Sequence, residues 1–306
     1  MIFKLYIYCV LLILIINPIS GFSQQQPFYS QYMFNGMALN PAYAGSHESL
    51  SLTAVSRHQW VNMEGAPSTQ TFTAHTPLKN EKVGLGMMIL RDNIGITNQL
   101  AAHFAYAYKI KFRKGTLSSG LQFDLSQYKS NYSNLNITND VAFGADDISK
   151  VYPNFGAGLF YSTRSFYAGF SVPRLMAGKF ENSDPVYNIN HSRHYFFTSG
   201  YVFTLNQDFK LKPNVLVQIV NGSPVTMDIN SNLLIKEVVW VGVSVKSFHS
   251  LSSLIELQIS DQFRFGYAYD FPFSSEIKGW NFSSHEFMLN YNFTFYKYKS
   301  HSPRYF

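Results

Sequence analysis

The sequence predicts an all-β fold, a transmembrane antiparallel β-barrel of about fourteen strands, on three observations. Apolar and polar residues alternate with period two over unusually long stretches. These stretches come in an even number, as single-chain bacterial barrels require. The links between them are tight at one end of the predicted barrel, and the longest ones all fall at the other end.

The stretch Leu100 to Gln127 carries the first observation most clearly. Leu100, Ala102, Phe104, Tyr106, Tyr108, Ile110 and Phe112 occupy every second position, with Ala101, His103, Ala105, Ala107, Lys109 and Lys111 between them. After the turn Arg113-Lys114-Gly115, the second arm sets Leu117, Leu121, Phe123 and Leu125 against Thr116, Ser118, Gly120, Gln122, Asp124 and Ser126. Period two means strand. An arm of about ten residues, rising roughly 3.3 Å per residue and tilted about 40°, spans about 25 Å, the apolar height of an outer-membrane barrel. Soluble sandwiches alternate too, but their strands average about five or six residues and turn the apolar face inward.

Taken in order, residues 1–23 read as a signal peptide: Lys4, an apolar run from Leu5 to Ile16, then Asn17-Pro18 and small residues to Ser23. The run is shorter than the roughly 20 residues of a membrane span. Residues 24–47 form an irregular lead-in, since Pro41 and Gly45 interrupt any ladder, and this segment is expected to face periplasmic proteins or plug the lumen. The barrel is expected over residues 48–296. Its strands fall near 48–59, 69–77, 83–91, 98–112, 115–127, 154–162, 165–172, 195–205, 209–220, 225–235, 238–247, 251–260, 263–271 and 284–296. A tail at residues 297–306 carries Lys297, Lys299 and Arg304 and ends Tyr305-Phe306. With the N-terminus in the periplasm, Leu78–Lys82, Arg113–Lys114, Thr163–Arg164, Asn206–Asp208, Lys236–Glu237 and Asp261–Gln262 become periplasmic turns. The opposite side receives Lys129–Pro153, Pro173–His194 and Pro272–Ser283.

Composition agrees with that reading. Aromatics make up 17% and charged residues only 14%, against about a quarter charged in an average soluble protein. Mean hydropathy near zero suits strands whose alternate residues face a polar lumen. The net charge of +6 is spread without a basic block, which speaks against nucleic acid as a partner. The single cysteine, Cys9, lies in the signal peptide, so neither disulfides nor cysteine-ligated metal are available to the mature chain.

No nucleophile elbow, phosphate loop, His-Glu-x-x-His or Cys-x-x-Cys motif occurs, so no catalytic residue, cofactor or metal site is expected and the protein reads as a non-enzyme. His191-Ser-Arg-His194 reads as loop polarity, and Asp140, Asp146 and Asp147 lack the spacing of a calcium loop. An embedded barrel hydrolase would need a nucleophile and base at one rim, and no spacing reveals such a pair.

Several segments together resemble the PorP/SprF family of Bacteroidota outer-membrane proteins. They are Gln31-Tyr-Met-Phe-Asn35, Asn40-Pro-Ala-Tyr-Ala-Gly-Ser46, Arg57-His-Gln-Trp60 with Glu64-Gly-Ala-Pro67, Pro153-Asn-Phe-Gly-Ala-Gly158, Phe166-Tyr-Ala-Gly-Phe-Ser-Val-Pro173 and Gly266-Tyr-Ala-Tyr-Asp270. The resemblance implies an outer-membrane component of the type IX secretion system. Such a component acts with a specific exported protein bearing a C-terminal sorting domain, often an adhesin of gliding motility, and with other components of the apparatus, including periplasmic ones. A general diffusion porin is the alternative. Arg57, His58, Gln59, Trp60, Gly65, Pro67 and Asn154 are the candidate partner-binding residues. Arg57 and Trp60 are types enriched at interface hot spots; the structural reading, in which Gly65 and Pro67 shape a turn and Trp60 anchors at the membrane interface, stands ahead of it.

Overall fold

The computed structural model describes residues 29–47, 49–79, 81–131, 148–176, 178–180, 189–247, 250–272 and 283–293. Residues 1–23, read above as a signal peptide, together with Asp140, Asp146, Asp147 and residues 297–306, lie outside them.

The wall begins with β1 (Leu50–His58), β2 (Ser68–Pro77), β3 (Val83–Ile94), β4 (Thr97–Lys111), β5 (Thr116–Ser130), β6 (Ile148–Ser162) and β7 (Phe166–Val172). A small hairpin, β8 (Gly178–Phe180) with β9 (Ile189–His191), stands apart from it. The wall resumes with β10 (His194–Tyr201), which continues past a break at Val202 as β11 (Phe203–Thr204). It is completed by β12 (Phe209–Val220), β13 (Thr226–Ile235), β14 (Val239–Lys246), β15 (Ser250–Gln258), β16 (Phe263–Pro272) and β17 (Ser284–Phe293). Each strand pairs antiparallel with the next. β10 pairs with both β7 and β12, and β1 pairs with β17 from Leu50↔Phe293 to His58↔His285, so the ring has no free edge. With β10 and β11 as one strand, this is a closed barrel of fourteen.

The alternation read from the sequence sorts lipid from lumen. On β4, Phe104 is 51% and Tyr106 47% exposed, whereas Ala101, His103, Ala105 and Ala107 between them are buried. The apolar face points out and the polar face in, the reverse of a soluble sandwich. Links 78–82, 112–115, 163–165, 205–208, 236–238 and 259–262 hold three to five residues and mark the periplasmic end; 59–67, 131–147, 173–193 and 273–283 mark the outer one.

Two expectations need correcting. β6 starts at Ile148 rather than near 154, because Pro153 sits where β6 pairs with β5 (Leu125↔Pro153) but has no partner on β7, whose pairing begins at Ala157↔Val172. A proline is tolerated on such an edge because no ladder bond is lost. The loop read as Pro173–His194 also contains the hairpin of β8 and β9. Of the expected last strand, residues 294–296 lie outside the described set.

Candidate functional site

The lumen is filled from within the chain. Residues 29–47 run inside the ring as three short 3-10 turns, Tyr32–Phe34, Gly36–Ala38 and Pro41–Tyr43. Their residues Tyr32, Met33, Phe34, Met37, Leu39 and Tyr43 are buried against wall residues such as Leu216, Trp240, Met288 and Phe160. The sequence builds the last turn in a familiar way. The Asn40 side chain accepts from Ala42 N at 2.9 Å as an N-cap, and Pro41 follows at the first position, where its missing N–H costs nothing. Asn40 Nδ2 also donates to Leu159 O (2.9 Å), and the Ser171 hydroxyl donates to Leu39 O (2.6 Å). The turn rests directly on glycines of the wall: a Cβ on Gly120 would overlap the backbone of Ala42, and one on Gly84 the carbonyl of Ala44. Lower down, Gly45 N donates to His75 Nδ1 at 3.2 Å, and Lys109 Nζ donates to Gly45 O.

A charged latch fixes the outer end of this segment. Arg57 donates to Asp270 at 2.7 Å and to Glu286 at 3.1 Å, and Lys246 donates to Asp270 at 3.1 Å. The backbone N–H groups of Ser30 and Gln31 each donate to one Glu286 oxygen at 2.8 Å. The Ser30 hydroxyl donates to Asp270 (2.9 Å) and accepts from Arg57 Nη1 and Lys246 Nζ (2.6 Å each). Arg57 is 6% exposed and Glu286 fully buried, so two cations and two carboxylates neutralise one another where water is scarce.

Strand alternation therefore divides the predicted motif. Arg57 faces the lumen, while His58 faces out, in reach of the Ser56 and Ser68 hydroxyls. Beyond them the link 59–67 forms part of the outer rim. Gln59 N donates to Pro67 O (3.0 Å), closing its base, and Gly95 N donates to Gly65 O (2.9 Å), tying it to the β3–β4 turn. On its other side Val61 N donates to Ser283 O (2.9 Å) and Trp60 N to the Ser284 hydroxyl (3.2 Å). Gly65 takes φ +72, but Trp60 takes φ 51, an unusual left-handed conformation for a bulky residue, and is 40% exposed.

Asn154 belongs to a second device. Its Nδ2 donates to Met176 O and its Oδ1 accepts from Met176 N, both at 3.0 Å, holding the chain after β7 against the mouth. There Arg174 reaches into the lumen to Asp124 (3.4 Å), Ser126 (3.3 Å) and the Tyr128 hydroxyl (3.2 Å). Of the histidine pair, His194 faces the lumen and bonds Gln218 at 2.8 Å; the side chain of His191 lies outside the described set. Sequence reasoning missed Ser30, Lys246, Asp270, Glu286 and Arg174. The available signal was phase: Asp270 and Glu286 are carboxylates on the polar side of long alternating strands, a position that demands a partner.

Among solved structures of similar fold, the CymD monoaromatic hydrocarbon channel is 12% identical, with a TM-score of 0.50, covering 87% of this chain and 93% of its own. The P. putida toluene transporter TodX is 9% identical (TM-score 0.48, 84% of this chain and 94% of its own), and Omp33 of Acinetobacter baumannii is 7% identical (0.47, 80% and 98%). At these identities the likeness is one of fold. No curated protein matches the chain. The family model described as "Type IX secretion system membrane protein PorP/SprF" matches residues 21–291, nearly the whole barrel and its luminal segment. This outer-membrane β-barrel belongs to the PorP/SprF family of type IX secretion system membrane proteins.

Proposed function

We propose that this barrel is a docking or anchoring platform that holds one exported protein, adhesin-like and bearing a C-terminal sorting domain, during its secretion or at the cell surface. The observation that carries this reading is the occupied lumen. Fourteen strands leave less room than the 16 to 18 of porins, whose aqueous channel already excludes folded proteins. Here that room is taken by residues 29–47. Transport through the ring is therefore disfavoured, both for a folded export substrate and for the small solutes of a general porin. Binding energy then has to come from the outer rim. The link 59–67 suits that task, since it is tied to both neighbours and presents Trp60 outward at a strained backbone position, a feature that clusters at functional sites. The reading assigns no catalysis.

The test pairs two measurements. In planar bilayers the native barrel should be nearly silent; steady open conductance would restore the porin reading. In cells, Trp60→Ala should leave barrel yield unchanged while an exported sorting-domain protein is lost from the surface or from co-purification. Loss of barrel yield instead would make Trp60 a folding residue.

A further inference from the structure

At the periplasmic mouth, below the inner end of the luminal segment, lies a cavity of about 130 Å3. Its lining includes Lys109, Lys111, Thr116, Ser118, Ser46 and Glu81. Strand register builds the wall: Lys109 lies opposite Ser118 and Lys111 opposite Thr116, so two alternate rungs of β4 and β5, on either side of Ile110↔Leu117, each pair a lysine with a hydroxyl residue. The Ser118 hydroxyl is buried, the residue being 4% exposed, and has no hydrogen-bond partner among the described residues; the same holds for the Ser46 hydroxyl. A buried hydroxyl facing a polar cavity demands an acceptor or water. The site already receives a carboxylate in part, because Glu81, half-exposed on its turn, accepts from Lys111 at 2.5 Å. The surrounding turns are basic. Lys79, Lys82, Arg113, Lys114 and Arg164 stand against Glu81 alone, whereas turns 205–208, 236–238 and 259–262 carry Lys236 against Asp208, Glu237 and Asp261. One side of the periplasmic rim thus draws anions and the other does not.

We infer that this cavity is an oxyanion site open to the periplasm, in which Ser118, Thr116 and the two lysines receive a carboxylate or phosphate group and Glu81 swings aside. The volume is ample for such a group with several waters. Two sources present this chemistry, an acidic periplasmic protein and free phosphate. Calorimetric titration of the full-length barrel in detergent separates them, with hexaglutamate peptide in one arm and inorganic phosphate in the other. Saturable binding is expected in at least one arm, weakened about tenfold by Ser118→Ala and by Lys111→Gln, since a hydrogen bond to a charged group is lost in each. Glu81→Gln, which removes the internal competitor, should tighten it, and Lys236→Gln on the opposite side should leave it unchanged. Peptide binding with this pattern supports the site with protein carboxylates as its source, and phosphate binding alone supports it with the free anion. No binding in either arm, or binding indifferent to Ser118→Ala and Glu81→Gln, overturns the inference.

Discussion

At the scale of single residues, the decisive positions are those where wall and luminal segment meet. Arg57 compensates two carboxylates at once, so Arg57→Ala removes the cation paired with buried Glu286 and leaves Asp270 to Lys246 alone. Breaking a buried ion pair from one side costs about 3–5 kcal/mol. The temperature at which the folded barrel loses its fast gel mobility should fall sharply, an effect Trp60→Ala should not share. Gly120 is the complementary case, because it contributes nothing but space. Gly120→Val drives a side chain into the backbone of Ala42, at about 1–3 kcal/mol for an overpacked site. Limited proteolysis should then cut the luminal segment while the wall stays intact; an uncut segment would mean the turn at Pro41 tolerates displacement. Neither role was legible beforehand. Arg57 was singled out in the sequence as a possible contact, but its partners lie more than two hundred positions away, and no local pattern joins them. Gly120 read only as one more polar-phase residue.

At the scale of elements, the strands were legible, whereas the segment before them could be read only as an irregular lead-in that faces periplasmic proteins or plugs the lumen, without its turns or its contacts. Alternation is a local property of about ten residues, so β4, β5, β9's neighbour β10 and β12 could be placed from their own sequence. Residues 29–47 have no period to read, since 3-10 turns of three residues repeat nothing. What the sequence did contain was the Asn40-Pro41 cap, a start signal for a turn whose destination depends on a groove in the wall. Pro153, read as the end of a loop, lies inside β6, because a proline breaks an interior ladder but not an edge. The element-level prediction concerns that segment. Because the wall is closed by its own ladders, deleting residues 29–47 should leave a folded barrel and convert a silent protein into a conducting one. An unfolded or still-silent deletion would mean that the segment is part of the scaffold.

At the scale of the whole molecule, the protein is two rims joined by a tube whose lumen residues 29–47 occupy. The outer rim carries the strained Trp60 link and the strap held by Asn154, and the inner rim is electrically lopsided. The luminal segment links these rims, since it is bonded near the outer mouth at Ser30 and near the inner one at Gly45. Such a body fits the proposed anchoring role better than that of a conduit.

The route of that segment also constrains biogenesis. The seam joins the earliest and latest strands of the wall, and the stretch just ahead of the earliest one sits inside the ring. A sheet still gaping can receive it from the side, whereas a sealed cylinder would have to be threaded from the periplasm upward. On the lateral route shutting and corking coincide, and a chain that shut without its cork would form a ring lacking residues 29–47 in its lumen.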